Sequence, residues 1–176
     1  MIALAKTKLN LGSRDRALAG FTNYDCDKHE GVDVVGDIRN LSAFGDGSVS
    51  VIYASHVAEH VPHVETMAML KEWCRVLEPG GVLYIAVPDF ARTVEIYGKI
   101  GLQDWVVNYL MGDQIYKTAF HYNIFDEDRL RSLLKEAGFS EVSRVESFGM
   151  HPTDCSNGKS NYDAKSVSLN MVAVKE

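Results

Sequence analysis

The segment from Val49 to Val87 constrains the fold more than any other part of the chain. It opens with the apolar run Val49–Ala54, which is typical of a strand buried in a parallel sheet. Pro79–Gly81 then breaks a helical pattern and turns the chain, and a second buried strand follows at Val82–Val87. This order predicts a strand–helix–strand unit, and open α/β sheets bind ligands at the carboxyl ends of such strands. The helix presents an apolar stripe at Met69, Leu70, Trp73, Val76 and Leu77.

Shorter apolar runs on both sides of this unit predict the rest of one sheet. Three strands precede it, at Thr7–Leu11, Phe21–Tyr24 and Val32–Val35. Two strands that pair antiparallel close the chain, at Glu141–Ser147 and Val167–Lys175. We therefore predict a single α/β domain over residues 1–176, with a mostly parallel sheet and an antiparallel final strand.

The segments between the sheet strands give further expectations. Mixed helical spacing across Thr93–Met111 predicts one or two helices over the mouth of the ligand crevice. A better-defined helix follows Asp126, which is a good N-cap, and ends at Gly138. The polar stretch His151–Ser166 is too long for a tight hairpin, so we expect a functional loop there.

Composition narrows the function classes. The formal charge of −6 argues against binding of the nucleic-acid phosphate backbone as the main activity. No apolar stretch approaches the roughly 20 residues needed to span a bilayer. Met1–Lys6 is too short and too soon charged for a signal peptide, and Cys26, Cys74 and Cys155 lack metal-ligand spacing. We therefore expect a cytoplasmic protein without a membrane span or a nucleic-acid partner, and the sequence leaves its oligomeric state open.

Two strings in the central unit carry a family resemblance. They read A-S-H-V-A-E-H-V from residue 54 and L-K-E-W-C-R-V-L-E-P-G-G-V-L-Y-I-A-V-P-D-F from residue 70. The chain resembles class I S-adenosylmethionine-dependent methyltransferases, most of all a small bacterial branch whose members often accompany glycan-synthesis enzymes. Similarities at Lys8–Gly12, Thr22–Asp25, 125–139 and Ser168–Lys175 extend the resemblance over nearly the whole chain. It implies a Rossmann-like sheet with an abbreviated N-terminal part, S-adenosylmethionine as cofactor, and O-methylation of a sugar or other small polar acceptor.

The strand ends and the resemblance together indicate a pocket for the methyl donor. Gly12 lets the backbone approach a ligand closely, and Asp25 after the second strand can accept both ribose hydroxyls. Asp37 can accept from the adenine amino group, with Ile38 against the ring. The alternative is that both acids are ordinary turn residues after strands. The predicted donor-binding residues are Asn10, Gly12, Asp25, Asp37, Ile38, Ser55 and His56.

The turn after the first strand departs from the family pattern. It reads Gly12-Ser13-Arg14-Asp15-Arg16, so the usual second glycine is missing and little helix fits before Phe21. Arg14 and Asp15 could clash with the amino-acid end of the donor, or could bind its carboxylate and ammonium. This departure keeps a second function open: a degenerate methyltransferase-fold protein that binds a ligand or partner without catalysis.

The densest titratable cluster of the sequence comprises His56, Glu59, His60 and His63. The H-x-x-E-H spacing of the first three matches the inverted zinc-protease signature, but the flanks belong to a different fold, so we expect no resident metal. Ubiquinone-pathway O-methyltransferases carry a similar acid-x-x-Glu-His group that can hold a divalent cation, yet His56 replaces the first acid. Glu59 and His60 can instead cap the helix start, or His56 or His60 can serve as a general base or donor contact.

Proton removal from the acceptor needs a base. His121 lies in a segment that returns over the substrate mouth in this fold, where a neutral imidazole could deprotonate a hydroxyl. The alternative for His121 is an ordinary surface histidine, and Asp89 could orient a hydroxyl or only cap the following helix. We predict His121, His60 and Asp89 as catalytic residues acting on a small-molecule or glycan acceptor.

Overall fold

The computed structural model describes residues 7–150, 159–160 and 162–176. Seven strands form one sheet: β1 (Thr7–Leu11), β2 (Thr22–Asp25), β3 (Val34–Val35), β4 (Val49–Ser55), β5 (Leu77–Pro88), β6 (Phe139–Val145) and β7 (Ser168–Lys175). Their order across the sheet is β3-β2-β1-β4-β5-β7-β6. The direction of travel across the sheet reverses between β1 and β4, which is the point where open α/β sheets form their ligand crevice.

Strand directions confirm the predicted sheet. Within the described chain, β1 to β5 pair parallel, whereas β7 runs antiparallel to both β5 and β6. The three N-terminal strands fall where the sequence predicts them, although the second runs one residue further and the third is shorter. Four of the seven residues of β4 and six of the twelve residues of β5 are buried, as expected for strands near the centre of the sheet.

Four helices accompany the sheet: α1 (Thr66–Val76), α2 (Phe90–Ile100), α3 (Asp104–Met111) and α4 (Glu127–Ala137). A short 3₁₀ turn at Ala58–His60 precedes α1. The predicted stripe of α1 is fully buried at Met69, Leu70 and Trp73, and burial of each such side chain stabilises the fold by about 1.5–3 kcal/mol. The mixed pattern over Thr93–Met111 resolves into the two helices α2 and α3.

The ends of α4 confirm the predicted capping. The Asp126 carboxylate accepts a hydrogen bond from the backbone amide of Arg129 at 2.9 Å. Gly138 ends the helix in the left-handed conformation, with φ of 110°. Phe125 and Leu130 are buried beside the cap, so the N-terminus of the helix is fixed by both a polar and an apolar contact.

The Pro79–Gly81 segment corrects one prediction, because it lies inside β5 rather than between a helix and a strand. α1 ends at Val76, and Leu77 already pairs with Val49 of β4. The next paired position joins Val51 to Val82, so the Pro-Gly-Gly residues form an irregularity that the strand accommodates. Pro79–Gly81 therefore form an irregularity within β5, and the strand begins before them.

The connection between β1 and β2 is a non-helical turn, as its short length predicts. Residues 12–21 are all described, and none of them is helical. Two buried amides shape this turn instead of a helix. Asn10 Nδ2 donates to the carbonyl of Arg16 and to Asn23 Oδ1, both at 2.9 Å, and Asn23 Oδ1 also accepts from the amide of Leu18 at 2.8 Å.

Most of the stretch His151–Ser166, for which we predict a functional loop, lies outside the described residues. Cys155 lies there as well. Among the helices that the structure describes, none is long and apolar enough to cross a membrane.

Candidate active site

A large cleft opens over the carboxyl ends of β1, β2 and β4. Its volume is ≈1250 Å³. One side is formed by the turns after these strands, and the opposite side by the end of α3 and the chain that follows it. The cleft brings together most of the residues predicted to bind a donor and both histidines predicted to act on an acceptor, namely Gly12, Asp25, Asp37, Ile38, Ser55, His56, His60 and His121.

Gly12 begins the turn after β1, and its backbone lines the cleft. It adopts φ of +69°, a conformation that L side chains rarely take. A Cβ at this position would also lie 2.5 Å from Cγ2 of Val57. The amides of Gly12 and Ser13 both donate to the carbonyl of Tyr24, at 2.8 and 3.1 Å, so the turn is fastened to the end of β2.

Asp25 lies buried at the carboxyl end of β2, where its carboxylate faces the turn after β1. Oδ2 accepts from the backbone amide of Arg14 at 2.8 Å, and Oδ1 accepts from the amide of Asp27 at 3.0 Å. Oδ1 also accepts a weak hydrogen bond from the Cys26 thiol at 3.5 Å, which a ligand hydroxyl can replace. Oδ2 keeps a second lone pair that can accept from a ligand hydroxyl. Asp25 therefore fixes the turn and can also present both oxygens to the cleft.

Asp37 and Ile38 follow β3 at the neighbouring rim. The Asp37 carboxylate pairs with Arg39, and this contact lowers the pKa of Asp37. The carbonyl of Ile38 accepts a hydrogen bond from the buried indole of Trp73 at 2.8 Å. Because Trp73 lies in the core of α1, it fixes the position of this loop, while Ile38 still lines the cleft.

Asn10 and Ser55 differ in their surroundings. The Asn10 side chain is buried and shapes the β1–β2 turn, as described above, next to a small cavity that Ser55 also lines. Ser55 additionally lines the large cleft. Asn10 thus supports the turn that contacts the cleft, whereas Ser55 reaches the cleft itself.

Glu59 is a buried carboxylate with an unusual environment. Its Oε1 lies 3.2 Å from His56 Nδ1, outside hydrogen-bonding geometry, and neither oxygen has a hydrogen-bond partner among the described residues. Burial raises the pKa of Glu59, but the imidazoles of His56, His60 and His121 outweigh it and bring the pKa below its ordinary value. The buried Glu59 carboxylate therefore lies in the cleft wall with imidazole rings as its polar neighbours.

His60 and His121 lie against each other beside Glu59, with ring centroids 4.9 Å apart. His60 Nδ1 lies 2.9 Å from the carbonyl oxygen of Phe120, and His121 Nδ1 lies 3.1 Å from that of Tyr109. A carbonyl can only accept, so each ring carries a proton on Nδ1, and in the neutral imidazole Nε2 then carries the lone pair. Burial lowers the pKa of His121, which favours the neutral imidazole.

His56 connects this cluster to the end of the sheet. It adopts φ of 53°, and its Nε2 lies 2.7 Å from Ser168 Oγ at the start of β7.

Both carboxylate oxygens of Asp89 make contacts within the fold. Its Oδ1 accepts from the amide of Arg92 at 3.1 Å as the N-cap of α2, and its Oδ2 pairs with Arg144 at 2.8 Å.

Sequence reasoning did not assign Tyr116, which meets Arg14 across the cleft. Arg14 Nη1 donates to Tyr116 Oη at 2.7 Å, and the guanidinium carbon lies 4.2 Å from the centre of the tyrosine ring. The two residues are 102 positions apart, and neither lies in a recognisable motif. It also missed the proximity of Glu59 to His121, since the pattern places Glu59 only with its local histidines.

Comparison with known families places the cleft in context. Residues 12–85 match the family model of a methyltransferase domain. This match begins at the turn after β1 and extends into β5, so it includes the turns after β1, β2, β3 and β4 that line the cleft. No curated protein sequence matches the chain.

Solved structures share the fold. A SAM-dependent methyltransferase from Archaeoglobus fulgidus has a TM-score of 0.62 at 13% identity, covering 97% of this chain and 86% of that one. A possible histamine N-methyltransferase from Thermotoga maritima has a TM-score of 0.57 at 19% identity, covering 99% and 84%. The 1,6-didemethyltoxoflavin-N1-methyltransferase of Burkholderia thailandensis, solved with 1,6-didemethyltoxoflavin and S-adenosylhomocysteine, has a TM-score of 0.58 at 14% identity, covering 97% and 71%.

At these identities the structural likeness establishes the fold, which is the Rossmann-like fold of class I methyltransferases. The match of residues 12–85 to a methyltransferase domain supports an enzyme of this type. Together they support an S-adenosylmethionine-dependent methyltransferase, with S-adenosylmethionine as its cofactor.

Proposed function

We propose that this chain transfers the methyl group of S-adenosylmethionine to a hydroxyl oxygen of a small polar acceptor, such as a sugar. The observation that carries the proposal is the single cleft that contains both the strand-end acids and the His60–His121 pair. The donor's sulfonium already activates its methyl group, so catalysis consists mainly of positioning and of removing one proton. A cleft with a nucleoside-binding half and a proton-accepting half meets both needs.

The donor is proposed to lie across the ends of β1, β2 and β3. Its amino-acid end faces Gly12 and the following turn, where the Arg14 guanidinium offers a partner for the carboxylate. Asp25 accepts the ribose hydroxyls beside its two backbone contacts, and one hydroxyl replaces the weak contact of the Cys26 thiol with Oδ1. Ile38 packs on the adenine ring, and the loop that carries Asp37 contacts its polar edge.

The acceptor is proposed to enter beside His60 and His121. Their Nε2 lone pairs are available, because both Nδ1 protons are committed to backbone carbonyls. This pair is the group to which we assign proton removal from the acceptor hydroxyl. Phenolic side chains of Tyr109, Tyr116 and Tyr122 line the same part of the cleft and suit a small polyhydroxylated molecule. The similarity to a glycan-associated branch favours a sugar.

Calorimetry followed by a transfer assay tests this function. S-adenosylmethionine and S-adenosylhomocysteine are titrated into the protein, and sugars and phenols are then screened for methyl transfer by mass spectrometry. Binding of both nucleosides and an ether product on a hydroxylated acceptor are expected. A product methylated only at nitrogen or carbon would refute the oxygen specificity, and absence of binding by either nucleoside would refute the enzyme assignment.

The Arg14–Tyr116 contact favours one second candidate, a methyltransferase-fold protein that binds a ligand or partner without catalysis. This contact spans the cleft, and the turn below it lacks the second glycine of the family pattern. The Tyr116→Phe variant separates the two candidates, because it removes the hydrogen bond and keeps the ring. For an enzyme whose donor displaces the contact, the variant binds S-adenosylhomocysteine as well as or better than the parent chain. In the binding-protein alternative, neither chain binds it.

A further inference from the structure

We propose that Glu59, His60 and His121 form a binding site for one divalent transition-metal ion, with its open coordination positions facing the cleft. The three side chains contribute one carboxylate oxygen and two imidazole nitrogens, and their ligand atoms all lie within 4.8 Å of one another. Two histidines and one carboxylate are a common set for zinc and other transition-metal ions that keep open positions for substrate.

The histidines already have the protonation that a metal site needs. A metal binds the unprotonated ring nitrogen, and the other nitrogen of a ligating histidine usually donates to a carboxylate or a backbone carbonyl. His60 and His121 each direct Nδ1 at a carbonyl oxygen, at 2.9 and 3.1 Å. Both Nε2 atoms are therefore available as ligands, and their partners belong to the backbone and do not depend on other side chains.

Glu59 provides independent support, because its environment needs a positive charge. The residue is only 1% exposed, and neither carboxylate oxygen has a hydrogen-bond partner among the described residues. A buried carboxylate whose nearest polar neighbour is one imidazole, His56 Nδ1 at 3.2 Å, carries a large desolvation cost. A divalent cation held between Glu59 and the two Nε2 atoms would offset that cost, with His56 and Ser168 as an outer pair that orients the carboxylate.

Backbone hydrogen bonds build the site into the fold. The carbonyl of Glu59 accepts from the amides of Tyr122 and Asn123, at 2.8 and 3.2 Å, so the segment carrying His121 is held against the 3₁₀ turn. Ligands of a tetrahedral ion at about 2.0–2.2 Å lie roughly 3.3 Å apart. An inward movement of about 1 Å by side chains would therefore complete the coordination without moving the backbone.

The two imidazole ligands determine which ions suit the site. Magnesium and calcium take oxygen ligands almost exclusively, whereas imidazole suits zinc, iron, cobalt and nickel. Three protein ligands also leave at least one position for water or substrate, which is the pattern of catalytic rather than structural zinc. We therefore infer a zinc-type site.

The role of the ion rests on the proposed function. An acceptor hydroxyl bound to the metal becomes more acidic and loses its proton to water in the cleft. The oxygen lone pair then forms the bond to the methyl carbon, while the electrons of the breaking carbon–sulfur bond return to sulfur and leave a neutral thioether. The histidines would then assist proton removal as metal ligands and not by accepting the proton themselves.

Metal binding is tested on the full chain without donor or acceptor. The protein is stripped with a chelator, dialysed, and titrated with Zn²⁺ by calorimetry and with Co²⁺ by visible absorption. We expect one tight equivalent and a cobalt spectrum typical of four or five ligands including nitrogen. The variant His121→Ala should bind Zn²⁺ at least about a hundredfold more weakly, since loss of even an outer partner costs 10–100-fold.

His63→Ala serves as the matched control, because His63 is an exposed histidine three residues beyond His60. Its affinity for Zn²⁺ should equal that of the parent chain. Equal Zn²⁺ binding by His121→Ala and the parent chain would overturn the site, as would an equal loss in His63→Ala. Glu59→Gln provides a second test, and where it does not fold by circular dichroism, His121→Ala decides the question.

The outcomes also separate this site from the proposed function. Methyl transfer by a chelator-stripped chain that binds no metal would overturn the metal site and leave the O-methyltransferase intact. One tight, His121-dependent equivalent of Zn²⁺ in a chain that binds no S-adenosylmethionine would support the site and refute the proposed enzyme.

Discussion

Replacing Asp25 with alanine tests the donor half of the cleft most directly. The carboxylate accepts hydrogen bonds from two backbone amides, those of Arg14 and Asp27. Ribose hydroxyls would add two charge-assisted hydrogen bonds, each worth about 1.5–3 kcal/mol before water compensates the loss. After that compensation we expect a net loss of about 1.4–3 kcal/mol of binding free energy. This loss corresponds to a Kd for S-adenosylhomocysteine that is roughly 10- to 150-fold larger.

The same substitution also affects the turn after β1. The Arg14 amide loses its acceptor, which costs about 1–3 kcal/mol when the group stays desolvated. Part of the lost affinity would then come from a less ordered turn and not from the missing ribose contacts. Thermal unfolding of the variant measures this contribution, because destabilisation of the turn appears in the absence of ligand.

Asp27→Ala is the matched control for charge. Asp27 is exposed, lines the same cleft and lies two residues from Asp25, and its backbone amide still donates to Asp25 in the variant. Calorimetry with S-adenosylhomocysteine should show a Kd within about twofold of the parent chain. An unchanged Kd in folded Asp25→Ala, or an equal loss in Asp27→Ala, would show that Asp25 does not hold the ribose.

Three further predictions follow from single contacts. Gly12→Ala should lower the free energy of unfolding by at least about 1–2 kcal/mol, measured in urea, because of its positive φ and its close approach to a valine side chain; an unchanged midpoint would contradict the strain. Asp89→Ala should lose about 1–3 kcal/mol of stability, because it removes the cap of α2 and the ion pair with Arg144. At a temperature where the variant stays folded, its kcat should remain within a few-fold of the parent chain's. A lower kcat at unchanged stability would indicate a catalytic carboxylate. Partial burial and the charges of Asp25 and Asp27 raise the pKa of the Cys26 thiol to about 11. Alkylation of Cys26 at pH 8 should therefore be at least about tenfold slower than alkylation of a free thiol, and it should accelerate as the pH rises. Peptide mass spectrometry measures the rate, and fast labelling at pH 8 would contradict the raised pKa.

The sheet could be predicted from the sequence because its signals are local. The buried run Val49–Ala54 has few alternatives to a central parallel strand, and the cap residues Asp126 and Gly138 mark both ends of α4. The error at Pro79–Gly81 has a physical reason. Proline and glycine end helices reliably, but whether the next strand begins before or after them depends on pairing with β4, and Leu77 finds its partner Val49 immediately.

The grouping of Asp25, Asp37 and Ile38 in one cleft was predictable for a related reason. Asp25 and the Asp37–Ile38 pair directly follow strands, and parallel strands deliver their carboxyl ends to one edge of the sheet. Asn10 shows the limit of this argument. It lies one residue from the end of β1, but its side-chain amide donates to Arg16 and Asn23. The orientation of this side chain depends on the shape of the β1–β2 turn, which the family pattern does not describe.

The cluster of Glu59, His60 and His121 depends on contacts that no local pattern contains. The sequence presents Glu59 between two histidines, His56 and His60, and this spacing suggests that all three act together. In the folded chain His56 instead bridges Glu59 to Ser168, while His121 replaces it in the cluster, brought there by the hydrogen bonds of residues 122 and 123 to the carbonyl of Glu59. The third member of the cluster is therefore fixed by backbone pairing between distant segments. It follows that sequences sharing the E-H pair can differ in acceptor chemistry according to what the segment after α3 places beside it.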